Sequence, residues 1–232
     1  AAFGQSRDAF CARLPATPFY PHTLYQNPMY ADGPPHRDLP CPNAEACVGL
    51  LLQNVAGGLG GGDGVARAVR TLAGAARVEW FEQPLGKRIL EGLRALRQQT
   101  GLPVMADESC QTLRDAYELA RAEAADVWNV YVAEAGGLRA AAEIFSLGAA
   151  VGVPCILGSQ AEMGIATAAC AHLAVALPWL PYAIETFGPL RYERDIITGP
   201  GMIAGGWLTP PPGPGLGVEL DWEAVKSMMV EI

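Results

Sequence analysis

From Val48 onward, short apolar runs alternate with alanine-rich amphipathic stretches, and this alternation restricts the possible folds more than any other feature. The runs are VGLLLQN (48–54), RVEWFE (77–82), LPVMAD (102–107), VWNVYV (127–132), VPCILGS (153–159) and PYAIE (181–185). Between them, DGVARAVRTLAG, GKRILEGLRALRQQTG, TLRDAYELARAEA, GLRAAAEIFSLGAAVG and GIATAACAHLAVAL read as helices. Strands that alternate with helices predict βαβ units and a parallel α/β sheet. A polar residue closes each run: Asn54, Glu82, Asp107, Tyr131, Ser159 and Glu185, at intervals of 24 to 28 residues. That beat is about one β/α unit. In a (β/α) TIM-type barrel the strand C-termini converge on one mouth, where chemistry is placed. An open doubly wound sheet would gather its chemistry at a single switch point. The regular spacing favours the barrel.

Residues 1–47 hold eight of the nineteen prolines and show neither helical nor strand periodicity, which predicts an irregular arm. Residues 48–190 are then the barrel portion. Residues 191–232, with short strand-like pieces around turns, are expected to fold back on it. Six apolar runs fall short of the eight strands of a full barrel, so the first strands are expected to be lacking. Open strand edges recruit other chains, which predicts a homo-oligomer or a marginal monomer whose arm covers an edge.

Sixteen basic against twenty-four acidic residues give a net charge of -8, which argues against nucleic acid or an anionic membrane as partner. No stretch of eighteen apolar residues is free of charges and breakers, and the first residues do not resemble a signal peptide. The six cysteines form no C-x-x-C pair, which points to free thiols in a reducing cytoplasm. His22, His36 and His172 are isolated, so zinc is disfavoured. His172, inside an alanine-rich run, reads as a packed helix residue. The loop GGLGGGDG (57–64) does not fit the dinucleotide pattern G-x-G-x-x-G, because Asp63 stands where the third glycine belongs.

Glu82 and Asp107 close neighbouring apolar runs and offer hard oxygen donors, which suit Mg²⁺ better than zinc. Asn54 closes the preceding run with a neutral amide oxygen. Spacing alone leaves a second role open for the two carboxylates, as helix caps or arginine partners.

The phrases VEWFEQPL, LPVMADES, NVYVAEAGGL, GSQAEMGIATAACAHLAVAL and PPPGPGLGVELD resemble the enolase superfamily, in its muconate-lactonizing and mandelate racemase branch. The resemblance runs from about residue 48 to 224, in matching order. It implies an N-terminal α+β capping domain followed by a modified barrel, with Glu82 and Asp107 as Mg²⁺ ligands. In that family Mg²⁺ grips a substrate carboxylate and stabilises the enediolate left when a base removes the α-proton.

The departures from the family pattern fall at functional positions. The family's first ligand is usually an Asp in D-x-N, and here QNVAGG brings Asn54. A K-x-K pair is expected one strand earlier, yet Lys87 and Lys226 are the only lysines. The second catalytic lysine would fall at Tyr131. A phenol, with an ordinary pKa of about 10, serves better as an acid toward a leaving hydroxyl unless a metal lowers it. NVYVAEAGG is similar to members that dehydrate hydroxyproline-type substrates. Glu162, in GSQAEMG, is a second candidate catalytic residue facing the substrate; a surface-loop role is the alternative. Ser159 and Gln160 are candidate substrate hydrogen-bonders, and Glu108 is turned away from Asp107 by strand alternation. The resemblance implies a Mg²⁺-dependent dehydratase or racemase of a small hydroxy or amino carboxylate. The alternative is an inactive or incomplete member.

Overall fold

The computed structural model describes residues 17–18, 50–51, 62–75, 79–199 and 201–229. Two compact units divide the chain, residues 1–102 and 103–232.

In the first unit, strand β1 (Thr17–Pro18) pairs antiparallel with β2 (Leu50–Leu51), Thr17 opposite Leu51. Two residues of the proline-rich arm are therefore a strand. The described part of the first apolar run takes an antiparallel partner rather than the parallel one its place in the alternation predicts. Proline, which lacks an N–H, is compatible with such a two-residue edge pairing. Helix α1 (Gly62–Ala75) buries Val65, Ala66 and Val69, whose spacing puts them on one face. Strand β3 (Phe81–Glu82) follows, then helix α2 (Leu90–Thr100), which buries Leu93 and Leu96. Arg70 Nη1 donates to the Gln99 carbonyl at 3.1 Å and ties α1 to α2. Gly101 ends α2 at φ +66, where its N–H closes on the Arg97 carbonyl. A side chain with a Cβ rarely adopts that conformation.

The second unit carries the parallel sheet. Strands β4 (Val104–Ala106), β5 (Val127–Val130) and β6 (Cys155–Leu157) pair in that order. Every residue of the three is buried, as expected of parallel strands covered on both faces. Asp126 stitches the strand starts together: its N–H donates to the Val104 carbonyl at 2.7 Å, and its Oδ2 accepts from Val104 N at 2.9 Å.

Helix α3 (Leu113–Ala122) connects β4 to β5. Its capping box is readable in the sequence, because Thr112 and Asp115 each satisfy the other's backbone N–H. The short helix α4 (Val132–Ala135) and helix α5 (Leu138–Val151) connect β5 to β6. Gly148 of α5 lies so close to the sheet that a Cβ there would overlap Cys155 Sγ and stand 3.5 Å from Trp128. Helix α6 (Gly164–Ala176) is apolar over most of its surface and largely buried.

The run 181–185, read as a strand from its sequence, is not one. It contributes a ladder bond, from Glu185 N to the Leu157 carbonyl at 3.0 Å. Pro181 has no N–H to extend the pairing. A 3₁₀ turn (Gly188–Arg191), a hairpin of β7 (Ile203–Ala204) and β8 (Trp207–Leu208), and helix α7 (Trp222–Met228) complete the unit. Gly205 and Gly206 both take positive φ, as a two-residue hairpin turn of this hand requires. This segment returns to α6, where the Asp195 carboxylate accepts from Gly164 N at 2.9 Å. Among the described residues, no helix is long and apolar enough to cross a membrane.

Candidate functional site

The polar residues of the second unit gather where β4, β5 and β6 end. Asp107, half-buried, directly follows β4. Its carbonyl accepts from Cys110 N at 2.8 Å, which turns the chain away from the sheet. Glu108, also half-buried, has one carboxylate oxygen shut off from solvent.

Tyr131 follows β5 and is 8% exposed. Its phenol oxygen accepts from Asn129 Nδ2 at 3.0 Å. Asn129 and Tyr131 are two residues apart and so share one face of the strand, opposite the face that carries Trp128. The register pairs Val130 with Leu157, and Gly158 N donates to the Val130 carbonyl at 3.1 Å, which brings Gly158 beside Tyr131. A Cβ at Gly158 would stand 2.9 Å from Tyr131 Cζ and overlap the Asn129 amide. The phenol occupies the space that glycine leaves.

After β6, Ser159 Oγ donates to Glu162 Oε2 in a short hydrogen bond and accepts from Ala161 N at 3.0 Å. The other oxygen of Glu162, Oε1, is buried with no hydrogen-bond partner among the described residues. Ser159 and Gln160 thus both bond within the protein, Gln160 Nε2 donating to Glu134 Oε1 at 2.7 Å. His172 lies in α6, half-buried, with Nε2 donating to the Leu216 carbonyl at 3.2 Å.

Glu82, the last residue of β3, is exposed in the first unit. Asn54 lies outside the described residues. Among those residues no three His, Cys, Asp or Glu side chains cluster as a metal site. The donor chemistry still discriminates between ions. Cys110, Cys155 and Cys170 are buried and free. Burial pushes the Cys155 and Cys170 thiols up to about 12, the Glu162 charge adding to the rise at Cys170. Burial, with smaller contributions from Cys155, Asp115 and Asp107, also raises Cys110 well above its ordinary value. Protonated, enclosed thiols are not zinc ligands. What remains is carboxylate and amide oxygen, the donor set of Mg²⁺.

Asn129, Glu134 and Gln111 were not singled out from the sequence. A lone Asn inside the apolar run VWNV is a readable signal for the first. The other two meet only through the fold.

A parallel α/β sheet with polar groups at its strand C-termini is the arrangement used by enzymes of the TIM-barrel class. A family model described as enolase C-terminal domain-like matches residues 60–225. Muconate cycloisomerase 1 of Rhodococcus opacus is 42% identical over 150 residues, which are 65% of this chain and 40% of that protein. L-Ala-D/L-Glu epimerase of Bacillus subtilis is 34% identical over 141 residues, 61% of this chain and 38% of that one. The solved muconate lactonizing enzyme from Pseudomonas putida superposes with a TM-score of 0.67 at 32% identity, covering 72% of this chain and 46% of its own. The chain belongs to the enolase superfamily, in its muconate-lactonizing and mandelate racemase branch. It spans about 40% of the length of the curated relatives it matches.

Proposed function

We propose that this chain serves an enolase-superfamily isomerase or racemase that moves the proton α to the carboxylate of a small hydroxy or amino acid. Membership of a family whose matched relatives include cycloisomerases and an epimerase supports the reaction class. The observation that carries the reading is Tyr131, buried at the end of β5 with an amide N–H aimed at its oxygen.

A donor in that position stabilises negative charge on the phenol oxygen. Tyr131 takes the α-proton or returns it, and Glu162 handles the second proton through the buried Oε1. Glu82 and Asp107 would hold Mg²⁺, with Asn54 as the neutral third donor. When bound, the ion would supply electrostatic stabilisation of the charge developing on the substrate carboxylate. If the substrate carries a β-hydroxyl, the same constellation yields a dehydratase, with Tyr131 protonating the departing hydroxyl.

The absence of any lysine between Lys87 and Lys226 favours a second reading, a member that binds but does not turn over. Tyr131→Phe separates the two readings. The ring and its packing stay, and only the hydroxyl goes. In heavy water with Mg²⁺, deuterium incorporation at the α-carbon of a panel of hydroxy- and amino-carboxylates should fall by roughly 10²–10⁴. Mg²⁺ affinity by calorimetry should not change. Equal exchange in parent and variant would make Tyr131 structural; no exchange in the parent would leave the binding-only reading.

A further inference from the structure

Glu134 is absent from the proton-transfer scheme above, yet it joins the loops that carry that scheme's residues. Its Oε2 accepts from Gln111 Nε2 at 3.0 Å, and its Oε1 accepts from Gln160 Nε2 at 2.7 Å. Gln111 lies four residues after Asp107, in the loop leaving β4. Gln160 lies two residues before Glu162, in the loop leaving β6. Glu134 itself stands on α4, the four-residue helix whose first turn is closed by Ala135 N donating to the Tyr131 carbonyl at 3.0 Å. One carboxylate therefore joins three consecutive strand-end loops, those of Asp107, Tyr131 and Glu162.

We propose that Glu134 is a positioning residue, the pin that sets the loop of Glu162 and the loop of Asp107 against the turn of Tyr131. This inference rests on the proton-transfer role proposed for those residues.

Two features of the Glu162 loop show that it needs holding. Ala161 sits at φ +60, a conformation strained for a non-glycine residue that persists only when its surroundings enforce it. Several anchors do so. Tyr192 Oη donates to the Ala161 carbonyl at 2.8 Å, and Thr167 Oγ1 donates to the Glu162 carbonyl at 3.0 Å. The 3₁₀ turn presses so close that a Cβ on Gly188 would overlap the Glu162 carbonyl. The Gln160–Glu134 bond holds the same loop toward α4. A carboxylate suits this task, because its two oxygens take two amide donors at once. The mount is itself confined: Gly136 and Gly137, both at positive φ, turn the chain immediately after α4. A planar side chain with two hydrogen-bonding atoms at 134 is then what the loop geometry requires, and it need not contact substrate.

The test uses the full chain with Glu134→Ala and Glu134→Gln. Glutamine keeps the shape and can re-form both contacts as neutral hydrogen bonds, accepting from one glutamine and donating to the other. Alanine can form neither. Backbone hydrogen exchange read by mass spectrometry should speed up about tenfold or more in Glu134→Ala, in the peptides covering 107–111 and 159–163 together. Peptides from α3 and α6 should not change, and Glu134→Gln should match the parent. Loosening of one loop alone, or of neither, overturns the inference. Where the parent exchanges α-protons, kcat should fall about 10- to 100-fold in the alanine variant with KM little changed, and recover with glutamine. An unaltered kcat overturns the positioning role. A parent with no α-proton exchange sinks the isomerase reading instead, and hydrogen exchange alone then decides on the pin. Should Glu134→Ala fail to fold, Gln160→Ala removes one arm from an exposed residue, and it should loosen 159–163 only.

Discussion

The two faces of strand β5 differ in almost every respect, although they are built from alternate residues of one short run. Trp128 and Val130 point to the helix side, where Trp128 is fully buried beside Cys155 and the close approach of Gly148. Asn129 and Tyr131 point the other way, bonded to each other and fitted against Gly158. Both faces are buried from water. One is apolar and filled by large side chains; the other is polar and made roomy by a glycine. Burial alone does not separate core from site here. What separates them is whether the enclosed groups carry hydrogen-bonding atoms that the fold has taken trouble to orient.

The largest expected effect lies on the helix face. Trp128→Ala removes a fully buried indole. It should destabilise the chain by about 3–5 kcal/mol in chemical denaturation. Tyr131→Phe, on the other face, should change stability far less while abolishing most proton exchange. If the two variants lose stability equally, the division of labour between the faces fails.

A smaller effect is expected from adding one methyl group to each face. Gly148→Ala would press on Cys155 and the Val153 carbonyl, and Gly158→Ala on the Asn129 amide and the Tyr131 ring. Each should cost about 1–3 kcal/mol, the usual range for overpacking. Only Gly158→Ala should also move the tyrosine signal in near-ultraviolet circular dichroism and slow α-proton exchange. If Gly148→Ala does the same, the helix face is coupled to the site after all.

The sequence reveals these faces unevenly. Strands β4, β5 and β6 are visible as apolar runs because buried parallel strands are uniformly apolar. Thr112 and the glycines at 101, 136 and 152 mark helix ends through local chemistry alone. Tyr131 stands out because the strand-end beat is itself a local count, and Glu162 as a carboxylate in GSQAEMG, just past the beat position Ser159. Glu134 stays hidden, since Gln111 and Gln160 lie 23 and 26 residues from it and meet it only across parallel strands. The run 181–185 misleads for the opposite reason. Its composition is strand-like, but Pro181 limits its pairing. The first apolar run misleads too, because sequence alternation says nothing of a partner strand drawn from the arm.

The smallest expected effect at neutral pH concerns the buried thiols. At pH 8 the native chain should show almost no labelling of Cys110, Cys155 or Cys170 by a thiol-directed alkylating reagent, since the thiolate is the reactive form and burial suppresses it. Labelling should appear only with unfolding. The same shift has a consequence at high pH. In the unfolded chain these thiols titrate near their ordinary value, about 8.5; in the folded chain Cys155 and Cys170 hold their protons to about 12. Between those values the folded state binds more protons, so stability falls as pH rises. Its slope is about 1.4 kcal/mol per pH unit for each such thiol, and the contribution is fully present below pH 8. Cys155→Ala, on the helix face beside Trp128, should flatten the alkaline decline by one thiol's share. It should leave α-proton exchange at neutral pH untouched. An unchanged alkaline slope would mean that Cys155 is reached by water in the native chain, and the helix face would then be less closed than the tyrosine face it is contrasted with.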